Sequence, residues 1–179
     1  MKMQKFLQKK FSGKNHLILY FAFIFSISFF LRFYLMPQNL FFGPEQGRDF
    51  LVVKDIVLEH KFTLIGPKTD IGGIFHGPFF YYLLVIPFLL SKGDPLVSSA
   101  FLILMQSLTV ISIYLLGKKL VVKRVGVIAS IIYAISFNSI LYARWLSNPP
   151  LSIPFAVLTM LFLLNFLNGS KRSLLGYSV

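Results

Sequence analysis

The sequence predicts an all-α integral membrane protein, a polytopic helical bundle with a large first external loop that carries juxtamembrane helices. Three observations support this prediction. The chain is 56% hydrophobic and only 13% charged, whereas soluble domains are about 25% charged. Four apolar runs approach the ~20 residues that a helix needs to cross a bilayer. All six acidic residues lie in one segment, residues 37–95, between the first two of these runs.

Charge distribution and cysteine content exclude two classes of site. The net charge is +12, but the basic residues form short clusters beside apolar segments, which is the pattern that orients membrane proteins. We predict no nucleic-acid partner, because membrane orientation already accounts for these basic clusters. The chain has no cysteine, so disulfides and thiolate metal ligands are excluded.

The first span follows a basic tail. Residues 1–16 carry five lysines and no acid, and the apolar run 17–36 is long enough to cross a bilayer. A cleaved signal peptide would have a shorter apolar core and a cleavage site of small residues, whereas this run is followed by MPQNLFF. We expect a retained first span with the tail in the cytoplasm.

Three further runs reach spanning length, residues 96–116, 125–142 and 151–167. A fifth run, 79–90, has only about 12 residues and contains Pro87, so we predict an interfacial helix rather than a span. With four spans every basic cluster faces the cytoplasm, as the positive-inside rule requires. The predicted connections are an external loop 37–95, a cytoplasmic loop 117–124, an external loop 143–150 and a cytoplasmic end 168–179.

The external loop begins with a predicted amphipathic helix over about 45–60. Pro44 suits the first helical position, and Glu45 and Asp49 are four residues apart and share a face, with Arg48 beside them. A carboxylate at the membrane surface can act as a general base or orient a cationic acceptor. The alternative is a charge pattern typical of a helix start, with a surface Arg–Asp pair that contributes under about 1 kcal/mol. These residues alone leave both interpretations open.

Polar residues then precede the interfacial helix. Glycines and prolines in residues 64–84 predict tight turns, which present Lys68 and His76 just before Tyr81 and Tyr82. Cationic side chains at headgroup level can bind a lipid phosphate. Aromatic residues at this depth often serve only as interfacial anchors, and a single histidine is often structural, so these roles stay open.

Three polar residues near the outer ends of the spans are also ambiguous. Arg32 either extends to the interface or faces a polar cavity. Arg144 either extends to the interface in the same way or takes part in a site. Asn148 precedes two prolines, and a turn followed by a helix start explains it structurally.

The order of these features resembles the N-terminal part of GT-C glycosyltransferases, in particular the group of protein O-mannosyltransferases and aminoarabinose transferases. The resemblance covers roughly residues 15–168, and it rests on EQGRD, HGPFFYY, LLGKKLVVKRVGVIASIIYAIS and RWLSNPP in this order. It implies a GT-C-like bundle and transfer of a sugar from a polyprenyl-phosphate donor to a protein, lipid or glycan acceptor on the non-cytoplasmic face. It also implies that this chain corresponds to the amino-terminal portion of longer enzymes.

The resemblance also implies roles for individual residues. Glu45 stands where the family has its proposed catalytic aspartate, Arg48 matches an arginine, and Asp49 is the competing base. HGPFFYY is similar to the donor-side segment of the family, which implies that His76, Tyr81 and Tyr82 lie near the donor.

In the second external loop Asn148 takes a position that is often acidic in the family. Asparagine can form hydrogen bonds there but cannot act as a base.

The predicted function is therefore a membrane glycosyltransferase. We expect Glu45 or Asp49 to deprotonate the acceptor, and Lys68, His76 and Arg144 to stabilise the departing phosphate. No cofactor is predicted, a divalent metal is left open, and the bilayer is the expected environment. A transporter or lipid flippase is an alternative that would place acids inside the spans, and a non-catalytic scaffold would tolerate replacement of the loop.

Overall fold

The computed structural model describes residues 2–169, and it describes the side chains of residues 16–169. Within this range the chain is helical, so the predicted all-α membrane architecture is confirmed. The predicted end 168–179 lies outside the described residues from position 170 onward. The helices are α1 (Lys2–Phe33), α2 (Met36–Asn39), α3 (Pro44–Leu58), α4 (Phe79–Ser91), α5 (Pro95–Leu120), α6 (Lys123–Ile135), α7 (Phe137–Ala143) and α8 (Asn148–Leu167).

In the part of the chain that the structure describes, three helices are long and apolar enough to cross a membrane: His16–Phe33 within α1, then α5 and α8. The pair α6 and α7 together would make a fourth span, bent by 59°. Helix α1 also includes most of the basic segment predicted as a tail, because the helical backbone begins at Lys2. The short apolar helix α4 contains Pro87 and does not reach spanning length.

The bend between α6 and α7 lies inside the predicted run 125–142 and centres on Ser136. This residue has an extended backbone, with φ −61° and ψ 122°, and its side chain accepts a hydrogen bond from the Ser139 amide. Serine is a favoured N-cap because its hydroxyl bonds the free amides of a starting helix. The sequence prediction of a single run does not anticipate this break, since apolar residues continue on both sides of the serine.

The break leaves the last carbonyls of α6 without helical partners, and Arg32 of α1 supplies donors to them. The Arg32 guanidinium is fully buried. It donates to the carbonyls of Ala134 and Tyr133, both at 3.1 Å, and to Ser139 Oγ at 2.6 Å. Of the two roles open for Arg32, the structure therefore shows an inward-facing one.

A second arginine makes the reciprocal connection. Arg144, which follows α7, donates to the carbonyls of Arg32 at 3.0 Å, Leu31 at 2.9 Å and Tyr34 at 2.7 Å. These are carbonyls at the C-terminal end of α1, where a helix lacks internal donors. The two arginines thus join the end of α1 to the bent pair α6 and α7 in both directions.

Helix α5 lies at the centre of the bundle, in contact with α1, α6 and α8. A Cβ atom at Gly126 would lie 2.3 Å from the Tyr114 carbonyl oxygen, so α6 approaches the α5 backbone as closely as glycine permits. Small residues allow such close packing between membrane helices. Further along α5, the buried Gln106 side chain donates to the Pro150 carbonyl of α8. That carbonyl lacks its usual helical donor because Pro154 has no N–H.

The helices of the predicted external loop pack on one end of this bundle. A buried apolar cluster joins α3 and α4 to α5 and to the start of α8. Its buried members are Phe50, Val53, Ile56, Phe80, Tyr81, Leu84, Leu102, Leu146 and Leu151. This cluster fixes α3 against α4 and thereby determines which side chains meet between them.

Candidate functional site

The start of α3 sets the positions of the two candidate bases. Pro44 is the first helical residue, and the Gln46 side chain accepts a hydrogen bond from the Gly43 amide at 3.0 Å. The Gln46 side chain thus satisfies the amide of the residue before the helix, and this contact fixes the first turn of α3. Glu45 is exposed in that turn, whereas Asp49, one turn later, is buried with 4% of its surface exposed.

Asp49 accepts three hydrogen bonds, all on one carboxylate oxygen. Arg48 donates to Oδ1 from Nε at 3.0 Å and from Nη2 at 2.9 Å, and the Tyr81 hydroxyl donates to the same atom at 3.2 Å. The other oxygen, Oδ2, accepts no hydrogen bond from a described residue, and it is open to solvent. The carboxylate is therefore held through one oxygen and available through the other.

Burial changes the acid–base properties of this cluster. Desolvation raises the pKa of the Asp49 carboxyl above its ordinary value of 3.8, and the hydrogen bonds from Arg48 and Tyr81 only partly oppose that rise. Burial, with the neighbouring Asp49 charge, also raises the pKa of Tyr81 to about 12. Asp49 is consequently a stronger base than an ordinary aspartate, and Tyr81 remains a protonated donor to it.

The remaining predicted residues of the loop are held by a compact turn. The Tyr82 hydroxyl donates to the Thr63 carbonyl at 2.8 Å and accepts from its amide, which attaches the loop to α4. The backbones of Gly66 and Pro67 pair with His76 at 3.0 and 2.9 Å. The side chains of Lys68 and His76 are exposed on this turn.

Only glycine fits at position 66, because a Cβ there would lie 2.1 Å from the Gly77 carbonyl oxygen.

Direct contact joins only part of the predicted set. Arg48, Asp49 and Tyr81 form one hydrogen-bonded cluster, and the Glu45 charge acts on Asp49 from one turn away. In the described part of the chain, no hydrogen bond or ion pair connects Lys68 or His76 to this cluster.

The predicted residues of the second loop do not join the cluster either. Arg144 is engaged with the end of α1. Asn148 begins α8 and accepts a 3.4 Å hydrogen bond from Ser147.

Sequence reasoning missed two features of the site. It placed Tyr81 at the interface but did not pair it with Asp49, since 32 residues separate them and no local pattern links them. It also placed Gln46 only by resemblance, at a glutamate position of the family, and did not predict that Gln46 caps α3, although a Gln three residues after a helix-start position is the pattern of a capping box. Among residues 2–169, no three His, Asp or Glu side chains are grouped to hold a metal ion.

Comparison with protein families gave a match over the C-terminal part of the chain. The family model for dolichyl-phosphate-mannose-protein mannosyltransferase matches residues 75–179, which is more than half of the chain. The matched region contains His76, Tyr81, Tyr82, Arg144 and Asn148, and it begins after α3. Comparisons with curated proteins and with solved structures gave no match.

Proposed function

Because the chain belongs to the dolichyl-phosphate-mannose-protein mannosyltransferase family, a family of GT-C membrane glycosyltransferases, we propose that it takes its sugar from a polyprenyl-phosphate donor. We place the reaction on the non-cytoplasmic face, with residues 37–95 and 143–150 external and the N-terminus cytoplasmic. The positive-inside distribution of basic residues supports this orientation. A polyprenyl tail keeps the donor in the bilayer and its phosphate at headgroup level, where α3 and α4 would lie.

The observation that carries the proposal is the Asp49 carboxylate. It is buried, fixed by Arg48 and Tyr81 through Oδ1, and free at Oδ2. A general base needs a fixed position and a pKa closer to neutrality than that of a free carboxylate, and desolvation provides the second property. Glu45 is exposed and, among the described residues, forms no ion pair, so we place it second as the base.

The proposed reaction is a single displacement. Asp49 Oδ2 removes the proton of the acceptor hydroxyl as the acceptor oxygen attacks the anomeric carbon. The bond from that carbon to the phosphate oxygen breaks, the electron pair leaves with the polyprenyl phosphate, and the configuration inverts. Lys68 and His76, on the turn that precedes α4, are our candidates to stabilise the phosphate charge. Arg144 has a positioning role in this scheme, because its donors already hold the end of α1.

The test is sugar transfer by the membrane-embedded protein, with dolichyl-phosphate-mannose as the first donor because the family description contains it. We expect Asp49→Asn to lower the rate at least 100-fold, within the range of general-base contributions, roughly 10²–10⁴. Glu45→Gln should retain most activity. Asp70→Asn is the matched control, since Asp70 is an exposed acid of the same loop.

Two results would change the assignment of the base. Loss of activity in Glu45→Gln with retention in Asp49→Asn would transfer the role to Glu45. Undiminished transfer in both variants would remove the role from α3.

A further inference from the structure

A groove separate from the Asp49 cluster lies between α3 and α4. It has a volume of about 430 Å³, within the range of ligand pockets, roughly 300–1,000 Å³. Its lining consists of Lys54, Val57 and Leu58 from α3, Phe88 and Leu89 from α4, and Lys92, the residue that caps the C-terminus of α4. Lys54, Val57 and Leu58 recur at helical spacing and form one continuous face of α3.

The groove combines an apolar floor with cationic walls. Lys54 on α3 and Lys92 just after α4 are exposed, and neither forms an ion pair with a described carboxylate. Glu59 pairs with Lys61, although its charge also attracts Lys54, and Asp94 caps α5 through the Leu96 amide at 2.8 Å. Positive charge therefore remains on both sides of a surface made of Val, Leu and Phe side chains.

The apolar floor continues outward into an exposed apolar surface. Leu58, Leu89 and Leu90 are 62%, 62% and 79% exposed. A helix that carries such a face with lysines at its margin is typical of an element at the membrane interface, where lysine stems cover apolar surface while the ammonium groups reach phosphates. An acidic soluble partner would have to displace the bilayer from this surface, whereas a lipid already belongs to it.

We propose that the α3–α4 groove binds an anionic diacyl phospholipid, with the phosphate between Lys54 and Lys92 and an acyl chain against Val57, Leu58, Phe88 and Leu89. The proposal rests on the interfacial placement of α3 and α4 and is independent of the transfer reaction. Bound in this way, the lipid fixes α3, and with it Asp49, relative to the membrane surface. Its headgroup is recognised by charge, so a zwitterionic lipid of the same chain length binds less well.

Brominated lipids and a local tryptophan test this proposal. The variant Trp145→Phe/Leu89→Trp places the one indole of the chain in the groove, and it is reconstituted in phosphatidylcholine vesicles with brominated phosphatidylglycerol or brominated phosphatidylcholine. We expect the anionic lipid to quench the indole at about 25-fold lower mole fraction, about fivefold for each lysine near the phosphate. In the same background, Lys54→Gln/Lys92→Gln should remove the preference and Lys54→Arg/Lys92→Arg should keep it. Lys119→Gln, an exposed lysine near the C-terminal end of α5, is the charge-matched control and should change nothing.

Each other outcome overturns the proposal in a distinct way. Equal quenching by both lipids would show contact with bulk bilayer only. A preference that persists in Lys54→Gln/Lys92→Gln would exclude the two lysines as the headgroup site. Quenching by neither lipid would show that protein, such as a second copy of the chain, covers the groove. Displacement of phosphatidylglycerol by equimolar polyprenyl phosphate would assign the groove to the donor lipid instead.

Discussion

The hydrogen bond from Tyr81 to Asp49 can be removed by one atom. Tyr81→Phe deletes the hydroxyl that donates to Asp49 Oδ1 at 3.2 Å and keeps the ring in the buried cluster beneath α3. The two Arg48 bonds to the same oxygen remain. The hydroxyl stabilises the ionised carboxylate and so lowers its pKa. Its removal must therefore raise the pKa of Asp49 further.

The size of the effect follows from the geometry. Hydrogen bonds to charged groups contribute roughly 1.5–3 kcal/mol, and strong O–H···O⁻ bonds measure about 2.5–2.7 Å. At 3.2 Å this bond belongs at the low end, about 1.5 kcal/mol, which corresponds to roughly tenfold in the ionisation equilibrium of Asp49. At pH values on the acid limb of the pH–rate profile, where most Asp49 is protonated, transfer by Tyr81→Phe should be about tenfold slower than by the wild type.

The assay is the pH dependence of sugar transfer by wild type and variant in the same membrane. The acid limb should move to higher pH in Tyr81→Phe. Tyr82→Phe is the matched control, because the neighbouring phenol bonds to Thr63 rather than to Asp49, and it should leave the limb in place whatever it does to the rate. An unmoved limb in Tyr81→Phe would refute the role of Asp49 as the titrating base.

Three further predictions concern stability, measured by unfolding in detergent micelles. The pKa of Asp49 is higher in the folded chain than its ordinary value of 3.8. The contribution of Asp49 to stability is therefore complete below pH 3.8 and is lost as the pH rises through the folded pKa. Over this pH range the free energy of unfolding of the wild type should fall relative to that of Asp49→Asn. Gln106→Leu leaves the buried Pro150 carbonyl without its donor and leaves the Tyr133 hydroxyl only its 3.3 Å bond to the main-chain carbonyl of residue 106, which should cost about 1–3 kcal/mol for the buried carbonyl. Gly126→Ala forces a Cβ against the α5 backbone and should cost about 1–3 kcal/mol.

Controls for these stability predictions exist in the same chain. Gly47→Ala places a Cβ in α3 with no atom within 4 Å, so it should stabilise by about 0.5–1 kcal/mol instead. Pro154→Ala restores a helical N–H for the Pro150 carbonyl, and Gln106→Leu should then cost less. Equal costs of Gln106→Leu with and without Pro154 would contradict the account of that contact. A pH slope in Asp49→Asn equal to that of wild type would contradict the linkage.

The sequence predicted what depends on composition and local pattern. Apolar runs and basic clusters were sufficient for the membrane class, and Gly43-Pro44 marked the start of α3 within a residue of the predicted helix. The family match confirms the resemblance stated from the motifs. Local pattern could not choose between Glu45 and Asp49, because both suit the first turns of a helix. Their difference in burial depends on α4, which packs on α3 from more than 20 residues away.

Contacts at long sequence separation could not be predicted in this way. Arg32 had two possible orientations, and the inward one depends on the carbonyls that the break at Ser136 sets free. That break depends on a single serine in an otherwise apolar run. No role was predicted for Gln106, because a single glutamine in a span indicates no particular contact. Its role follows only from the structure, in which Pro154 leaves the Pro150 carbonyl without a helical donor and Gln106 lies opposite it.

The arginine connection between α1 and the bent helix pair also constrains how the protein is made. Arg32 is synthesised 101 residues before Tyr133 and 107 before Ser139, so α1 enters the membrane well before its partners exist. Of the five hydrogen bonds of its guanidinium, three need α6 or α7. Until those helices insert, the Arg32 guanidinium lacks these three hydrogen bonds. Docking of α6 and α7 is thus the step that supplies the remaining three hydrogen bonds of the Arg32 guanidinium.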